Sequence, residues 1–171
     1  MTDFDFKAQF IAVLPSTPPE LDLDFAEFIA FNPSDLAGMP AEEAGFLLKH
    51  GLPRDAPPFL SFEAYSAPEI VRRLTIFGIA DRYFPLGHTG SGDVLALDQK
   101  TREIVYFNHD ADNARVFINS TLIQFTRCLC IFQAHLRDDT LEHCLANIQQ
   151  VDPAAAEPGT MWADEVNAEL G

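Results

Sequence analysis

The stretch VLALDQKTREIVYFNHDADNARVFINSTLIQFTRCLCIF, residues 94–132, decides the fold because its hydrophobic pattern changes period. It opens with three short apolar runs: VLALD (94–98), EIVYF (103–107) and RVFIN (115–119). Loops of hairpin length join these runs, so they predict one antiparallel meander. After Asn119, apolar residues recur every three or four positions, as in a helix. We therefore expect a helix from about 120 to 136 and an α+β domain.

The rest of the chain predicts further elements around this sheet. The clearest helix of the first half lies between Pro40 and Gly51, which suit its start and its end. Apolar spacing indicates other helices at 6–14, 21–31, about 139–150 and 161–170. FLSFEAY (59–65) alternates like a strand. IVRRLTIFGIADRYF (70–84), rich in β-branched and aromatic residues, predicts a strand with a turn near Gly78.

Acidic residues outnumber basic ones, and they are concentrated at both ends of the chain. The net charge is −15; residues 1–48 hold 9 acids and 1 base, and residues 138–171 hold 8 acids and no Lys or Arg. Such a chain repels nucleic acids and anionic membranes and attracts a basic partner. The alternative is that the acids only keep the protein soluble and monomeric.

The glycine-rich segment GHTGSGD (87–93) raises the question of chemistry. A phosphate-binding loop would need a lysine and a following helix, but a strand follows here. His88, Ser91 and Asp93 could be written as a catalytic triad, yet triads are assembled across a fold. We interpret the segment as a turn before a hairpin, with Ser91 and Asp93 as ordinary turn residues.

Two possible metal sites also fail on spacing. The loop after Asn108 resembles a calcium loop, but Asn113 replaces the required glycine and Asn119 the required glutamate. A zinc cluster would draw on Cys128, Cys130, His135, His143 and Cys144. On a helix the first two of these cysteines point about 200° apart, so free, buried thiols without a metal are expected.

The cysteines and the N-terminal sequence also indicate the cellular location of the protein. An odd number of cysteines does not indicate a disulfide framework. The N-terminal MTDFDFKAQF opens with acids and lacks a signal-peptide pattern, and no apolar run reaches the roughly 18 residues of a membrane span. We expect a cytoplasmic protein without membrane contact. A lone tryptophan, Trp162, is expected to dock the last helix onto the body.

Several motifs follow one another along residues 44–168: FLLKHGLP (46–53), FLSFEA, LTIFGIADRYF, the meander with its helix, and Trp162 in a C-terminal helix. Their order resembles the SUKH superfamily, the SMI1/KNR4-like proteins, and in particular its bacterial toxin-immunity branch. The resemblance implies an α+β fold with a central antiparallel sheet and flanking helices. It also implies an immunity protein that binds and neutralises a cognate polymorphic toxin, often a nuclease or nucleic-acid deaminase.

The resemblance carries over no catalytic residue, cofactor or metal, and we expect a binding protein, not an enzyme. We expect one domain over 1–171, with an N-terminal helical extension (1–39), a core (40–150), and a linker and C-terminal helix (151–171). The partner is expected to be a basic toxin domain, bound by a monomer of this chain. Its contact surface draws on one of three acidic groups, which the sequence does not rank: Asp22, Asp24 and Glu27; Asp110 and Asp112; or Asp138, Asp139 and Glu142.

Two other functions remain open from sequence. One is a protein-binding adaptor or regulator of the same fold that is not an immunity protein. The other is a small hydrolase or metalloenzyme.

Overall fold

The computed structural model describes residues 3–171, so Met1 and Thr2 of the predicted N-terminal extension lie outside the described residues. Within that range the chain forms six α-helices: α1 (Phe6–Val13), α2 (Ala41–His50), α3 (Ala67–Phe77), α4 (Leu122–Asp138), α5 (Cys144–Val151) and α6 (Met161–Leu170). The strands are β1 (Phe28–Ile29), β2 (Leu52–Pro53), β3 (Asp55–Ala56), β4 (Leu60–Phe62), β5 (Tyr83–Thr89), β6 (Val94–Asp98), β7 (Ile104–Asn108) and β8 (Ala114–Asn119). The result is the predicted α+β class.

Six of the strands form one antiparallel sheet in the order β3-β4-β5-β6-β7-β8. Every neighbour in this sheet follows its predecessor along the chain, so the predicted meander of β6, β7 and β8 is confirmed. Val94 pairs with Phe107 and Leu97 with Ile104. A separate two-stranded sheet joins β1 to β2.

Alternation along the strands divides the sheet into two apolar faces. One face packs into the main core with Phe125, Leu129 and Phe132 of α4. The other face packs against α3 in a smaller cluster that includes Leu74. In β6, Leu95 and Leu97 belong to the main core, whereas Val94 and Ala96 belong to the smaller cluster. Successive residues therefore face opposite sides of the sheet, as the predicted strand requires.

The predicted helix after the meander is confirmed as α4. Its first turn is capped by the Thr121 hydroxyl, which accepts the backbone N–H of Gln124 at 3.2 Å. The helix between Pro40 and Gly51 is also confirmed, as α2. Gly51 has φ 65°, and a Cβ there would lie 2.2 Å from the Ile29 carbonyl oxygen, so only glycine fits between α2 and β1.

The predicted helix over 21–31 is wrong. Asp24 instead accepts the backbone N–H of Ala26 through its side chain at 2.9 Å, a local bond that competes with helix formation. Phe28 then enters β1 and packs against the rings of Phe6 and Phe10. Leu21, which the predicted helix would have placed on its apolar face, is exposed.

The predicted strand over the first part of 70–84 is also wrong, because residues up to Phe77 form α3. The Glu69 carboxylate accepts the backbone N–H of Ser66 at 2.8 Å and so closes one half of a capping box. The β-branched Val71 and Ile76 lie on the exposed side of the helix. Gly78 ends the helix in a left-handed conformation, which agrees with the predicted turn.

No helix within residues 3–171 combines the length and the apolar character needed to cross a membrane.

Candidate partner-binding surface

The first acidic group lies on the exposed loop that replaces the predicted helix. Asp22 and Asp24 are both exposed, and the structure places no ion pair on either of them within residues 3–171. Glu27 is different, because its carboxylate lies 3.2 Å from the Arg54 guanidinium. The loop therefore offers two carboxylates without an ion pair and one that is paired with Arg54.

The second acidic group follows β7. The side chain of Asn108 accepts the backbone N–H of Asp110 at 3.0 Å, and Asp112 takes a left-handed conformation with φ 53°. Asn108 therefore orders a tight turn and is not positioned as a calcium ligand. His109, between them, donates its backbone N–H to Asp93 at 2.9 Å.

The third acidic group surrounds the end of α4. Asp138 is the last helical residue and binds the Arg137 guanidinium at 2.7 Å. Asp139 caps the helix in a left-handed conformation, and Glu142 lies exposed in the short 3-10 helix that follows. The partial negative charge of a helix C-terminus adds to that of these carboxylates.

The helices α1 and α4 run side by side in the same direction. The Arg127 guanidinium in the first half of α4 lies over the ring of Phe4, just before α1. Arg137 near the end of α4 donates to the carbonyl oxygen of Ala12, near the end of α1, at 3.2 Å. The C-termini of both helices therefore lie at one end of the molecule.

The loops of the sheet meet the helices at this same end. A groove there is lined both by Leu136 of α4 and by Gly90 of the turn between β5 and β6. The bond between His109 and Asp93 places the second acidic group beside that turn. The fold thus brings the first and third groups close to one groove, through Phe25 and Leu136, and the second group lies beside the turn that contains Gly90.

The groove has a volume of about 470 Å³ and mostly apolar walls, a size typical of ligand sites. Its lining includes Pro15, just after α1, Phe25 of the acidic loop, and Phe59 in the turn between β3 and β4. Phe25 is 45% exposed and Leu136 is 40% exposed, so apolar surface faces solvent here. Such a patch between acidic rims is typical of a contact surface.

Two polar residues in the groove were missed by the sequence reasoning. Gln133 of α4 is only 5% exposed, yet its amide forms no hydrogen bond to any residue of the described range 3–171. Asp55 of β3 accepts the Ser61 hydroxyl at 2.6 Å through one carboxylate oxygen. Its other oxygen has no partner within that range. No Lys or Arg lines the groove, so its field is negative.

The residues of the possible triad are not assembled. The ring of His88 contacts the carbonyl oxygen of Thr89 at 3.0 Å, not Asp93. Asp93 is not the ordinary turn residue that we expected: it is 6% exposed and accepts hydrogen bonds from the Thr89 hydroxyl and from His109. It holds together two neighbouring loops of the sheet.

The possible zinc ligands have other partners. His135 lies 2.7 Å from the Thr140 hydroxyl, and the Cys128 thiol accepts the amide N–H of Asn119 at 3.4 Å. The structure contains no cluster of three or more His, Cys, Asp or Glu side chains suited to a metal ion anywhere in residues 3–171. All three cysteines are free and buried, and burial raises the pKa of Cys128, Cys130 and Cys144 to about 12.

The antiparallel sheet with helices on both faces is an α+β fold, and the family match places the chain within the SUKH superfamily. The family model for SUKH-4 immunity proteins matches residues 20–168, and the chain belongs to that family. No curated protein and no solved structure gives a match. The family match confirms the resemblance seen in the motifs and supports an immunity role.

Proposed function

We infer that this chain binds and neutralises a cognate polymorphic toxin by stoichiometric occlusion, without chemistry of its own. Its membership of an immunity protein family supports the binding role. The net charge of −15 supports a basic toxin, such as a nuclease or a nucleic-acid deaminase, because opposite charge accelerates association.

The observation that carries this proposal is the apolar groove between acidic rims. Phe25 and Leu136 provide exposed apolar surface at its centre. Asp22 and Asp24 belong to the loop that supplies Phe25, and Asp138 and Asp139 follow Leu136 closely along the chain. Interfaces commonly combine a desolvated apolar centre with a charged rim that sets the association rate. We include Glu142 and the second acidic group, Asp110 and Asp112, in the proposed contact surface, because His109 bonds Asp93 beside the turn that contains Gly90.

The experiment is copurification of the chain with the product of the neighbouring gene. The proposal predicts a complex that Leu136→Glu disrupts, because a carboxylate is placed in the apolar centre. Leu170→Glu is the matched control, since Leu170 is an exposed leucine on α6, outside the groove. If the complex forms equally well with the Leu136→Glu variant and with the Leu170→Glu variant, the interface lies outside the groove. A neighbouring product that is no toxin, yet binds, would favour the adaptor function.

Three further features belong to the proposal. The chain acts as a monomer before it binds, works in the cytoplasm, and folds as one domain over residues 1–171. Phe6 and Phe10 of α1 are fully buried in the main core, which supports a single domain that includes the N-terminal extension.

A further inference from the structure

The groove is lined by a polar side chain to which the described residues give no hydrogen-bond partner. The Gln133 side chain is 5% exposed and lines the groove, and no group in residues 3–171 bonds its amide. An amide has both donor and acceptor capacity, and a ligand that displaces water from Gln133 without bonding it would leave the amide unpaired, which is unfavourable. A ligand that reaches Gln133 therefore gains a hydrogen bond that displaces no internal one.

Asp55 of β3, which also lines the groove, supplies a carboxylate. Ser61 bonds one oxygen of Asp55 at 2.6 Å and so fixes the orientation of the group. The second oxygen is free to accept from a ligand, and Asp55 has no basic partner within 4 Å among the described residues. The rings of Phe25 and Phe59 complete the walls around these two polar groups.

We propose that this groove is a binding site for an arginine side chain presented by the partner. The Asp55 carboxylate and the Gln133 amide oxygen accept from the guanidinium, while the aliphatic stem of the arginine packs along the apolar walls. This inference rests on the proposed function in one respect: the protein that presents the arginine is the basic toxin. Arginine is also among the residues that most often dominate interface energies.

Other side chains fit these features less well. An aliphatic side chain would fill the groove but leave Gln133 and Asp55 without partners. A lysine ammonium is a strongly hydrated point charge and loses more on entering an apolar groove. A guanidinium is planar and weakly hydrated, stacks on aromatic rings such as Phe25 and Phe59, and offers five donors.

The test is an NMR titration of the free protein with N-acetyl-arginine methylamide, followed through the Gln133 side-chain amide and the backbone amides of Ser61 and Gly90. Saturable shifts confined to the groove are expected. The citrulline analogue keeps the shape of arginine and loses its charge, so we expect it to bind the wild type about tenfold more weakly than the arginine probe does. We expect the same loss of affinity, about tenfold, when the arginine probe binds the Asp55→Asn variant. Asp81→Asn, at an exposed position outside the groove and outside the acidic rim, is the control and should change the affinity little.

Equal binding of arginine and citrulline probes, or no shift at Gln133, would overturn the inference. Gln133→Met adds an independent check, because it keeps the volume and removes the amide; it should weaken the arginine probe while the melting temperature shows that the fold is kept. These outcomes are separate from the proposed function. A toxin complex that Leu136→Glu disrupts, in a protein whose groove ignores the arginine probe, would refute the arginine site alone.

Discussion

The indole N–H of Trp162 donates a hydrogen bond to the side-chain oxygen of Asn119 at 2.8 Å, and so joins α6 to the end of β8. Asn119 in turn donates to the Asp152 carboxylate at 2.9 Å, and the same carboxylate accepts the backbone N–H of Ser120 at 2.8 Å. Trp162, Asn119 and Asp152 are all buried. The C-terminal segment is therefore fixed to the meander by a satisfied polar network as well as by apolar packing.

We expect Trp162→Phe to lower the free energy of unfolding by about 1–3 kcal/mol, because the Asn119 oxygen stays buried and loses its donor. Urea unfolding followed by far-UV circular dichroism measures this, since the chain has one tryptophan and fluorescence is lost with it. Leu170→Ala on the same helix is the control, because Leu170 is exposed. A change no larger than that of the control would contradict the structural role of this bond.

The cysteines are expected to react slowly in the native protein. Burial raises the pKa of all three thiols to about 12, so little of the reactive thiolate is present at pH 8. Titration with a chromogenic disulfide reagent should give a slow reaction in buffer and three fast equivalents in denaturant. Cys130 should react first of the three, because it is the least deeply buried. Rapid modification of Cys128 in the native state would be inconsistent with this packing.

His109 should make stability depend on pH. Its hydrogen bond to Asp93, and then the charge of Asp110, raise the pKa of His109 above its usual value. The protonated form is thus favoured in the folded protein. Its stabilising contribution is full below the unfolded pKa of about 6.5 and is lost as the pH rises through the higher folded pKa. Melting temperatures of His109→Gln and the wild type should converge toward pH 8.5 and diverge toward pH 5.5.

His143→Gln serves as the control for that comparison, since His143 is 71% exposed. A gap between His109→Gln and the wild type that is constant over the pH range would contradict the role assigned to His109.

The acidic rim should control the association rate with the toxin. Charges farther apart than about 8–10 Å are screened at physiological salt, so the association rate should fall as salt rises, while dissociation changes less. Asp22→Lys combined with Asp24→Lys should slow association in the same way. Asp81→Lys with Glu169→Lys makes an equal change of net charge at exposed positions outside the groove. If stopped-flow measurements show that both double variants slow association equally, net charge and not the acidic rim at the groove controls the association rate.

The meander was predictable because strand alternation is a local signal. In β6, successive residues face opposite sides of the sheet, and the switch of period after Asn119 marks where α4 begins. α3 was missed although a local signal was present: Ser66, Pro68 and Glu69 form a helix start. The β-branched residues that suggested a strand, Val71 and Ile76, lie at exposed helical positions where packing does not constrain them.

The groove was not predictable from the sequence. Phe25, Phe59 and Gln133 come from three distant segments, and only the packing of α4 against the sheet brings them together. No periodic pattern links such residues, and the unpaired amide of Gln133 depends on its tertiary surroundings. The acidic groups could be chosen from composition, but the parallel course of α1 and α4, which brings the C-termini of both helices to one end, could not be predicted.

The most direct test of the central claim is a titration of the neighbouring gene's toxin with the purified chain, with residual toxin activity as the readout. Occlusion predicts that activity falls linearly to zero at one equivalent, and that native mass spectrometry finds a 1:1 complex. Complete inactivation by a small fraction of an equivalent would mean that the chain acts catalytically. Undiminished activity at several equivalents, with no complex detected, would contradict the immunity function itself.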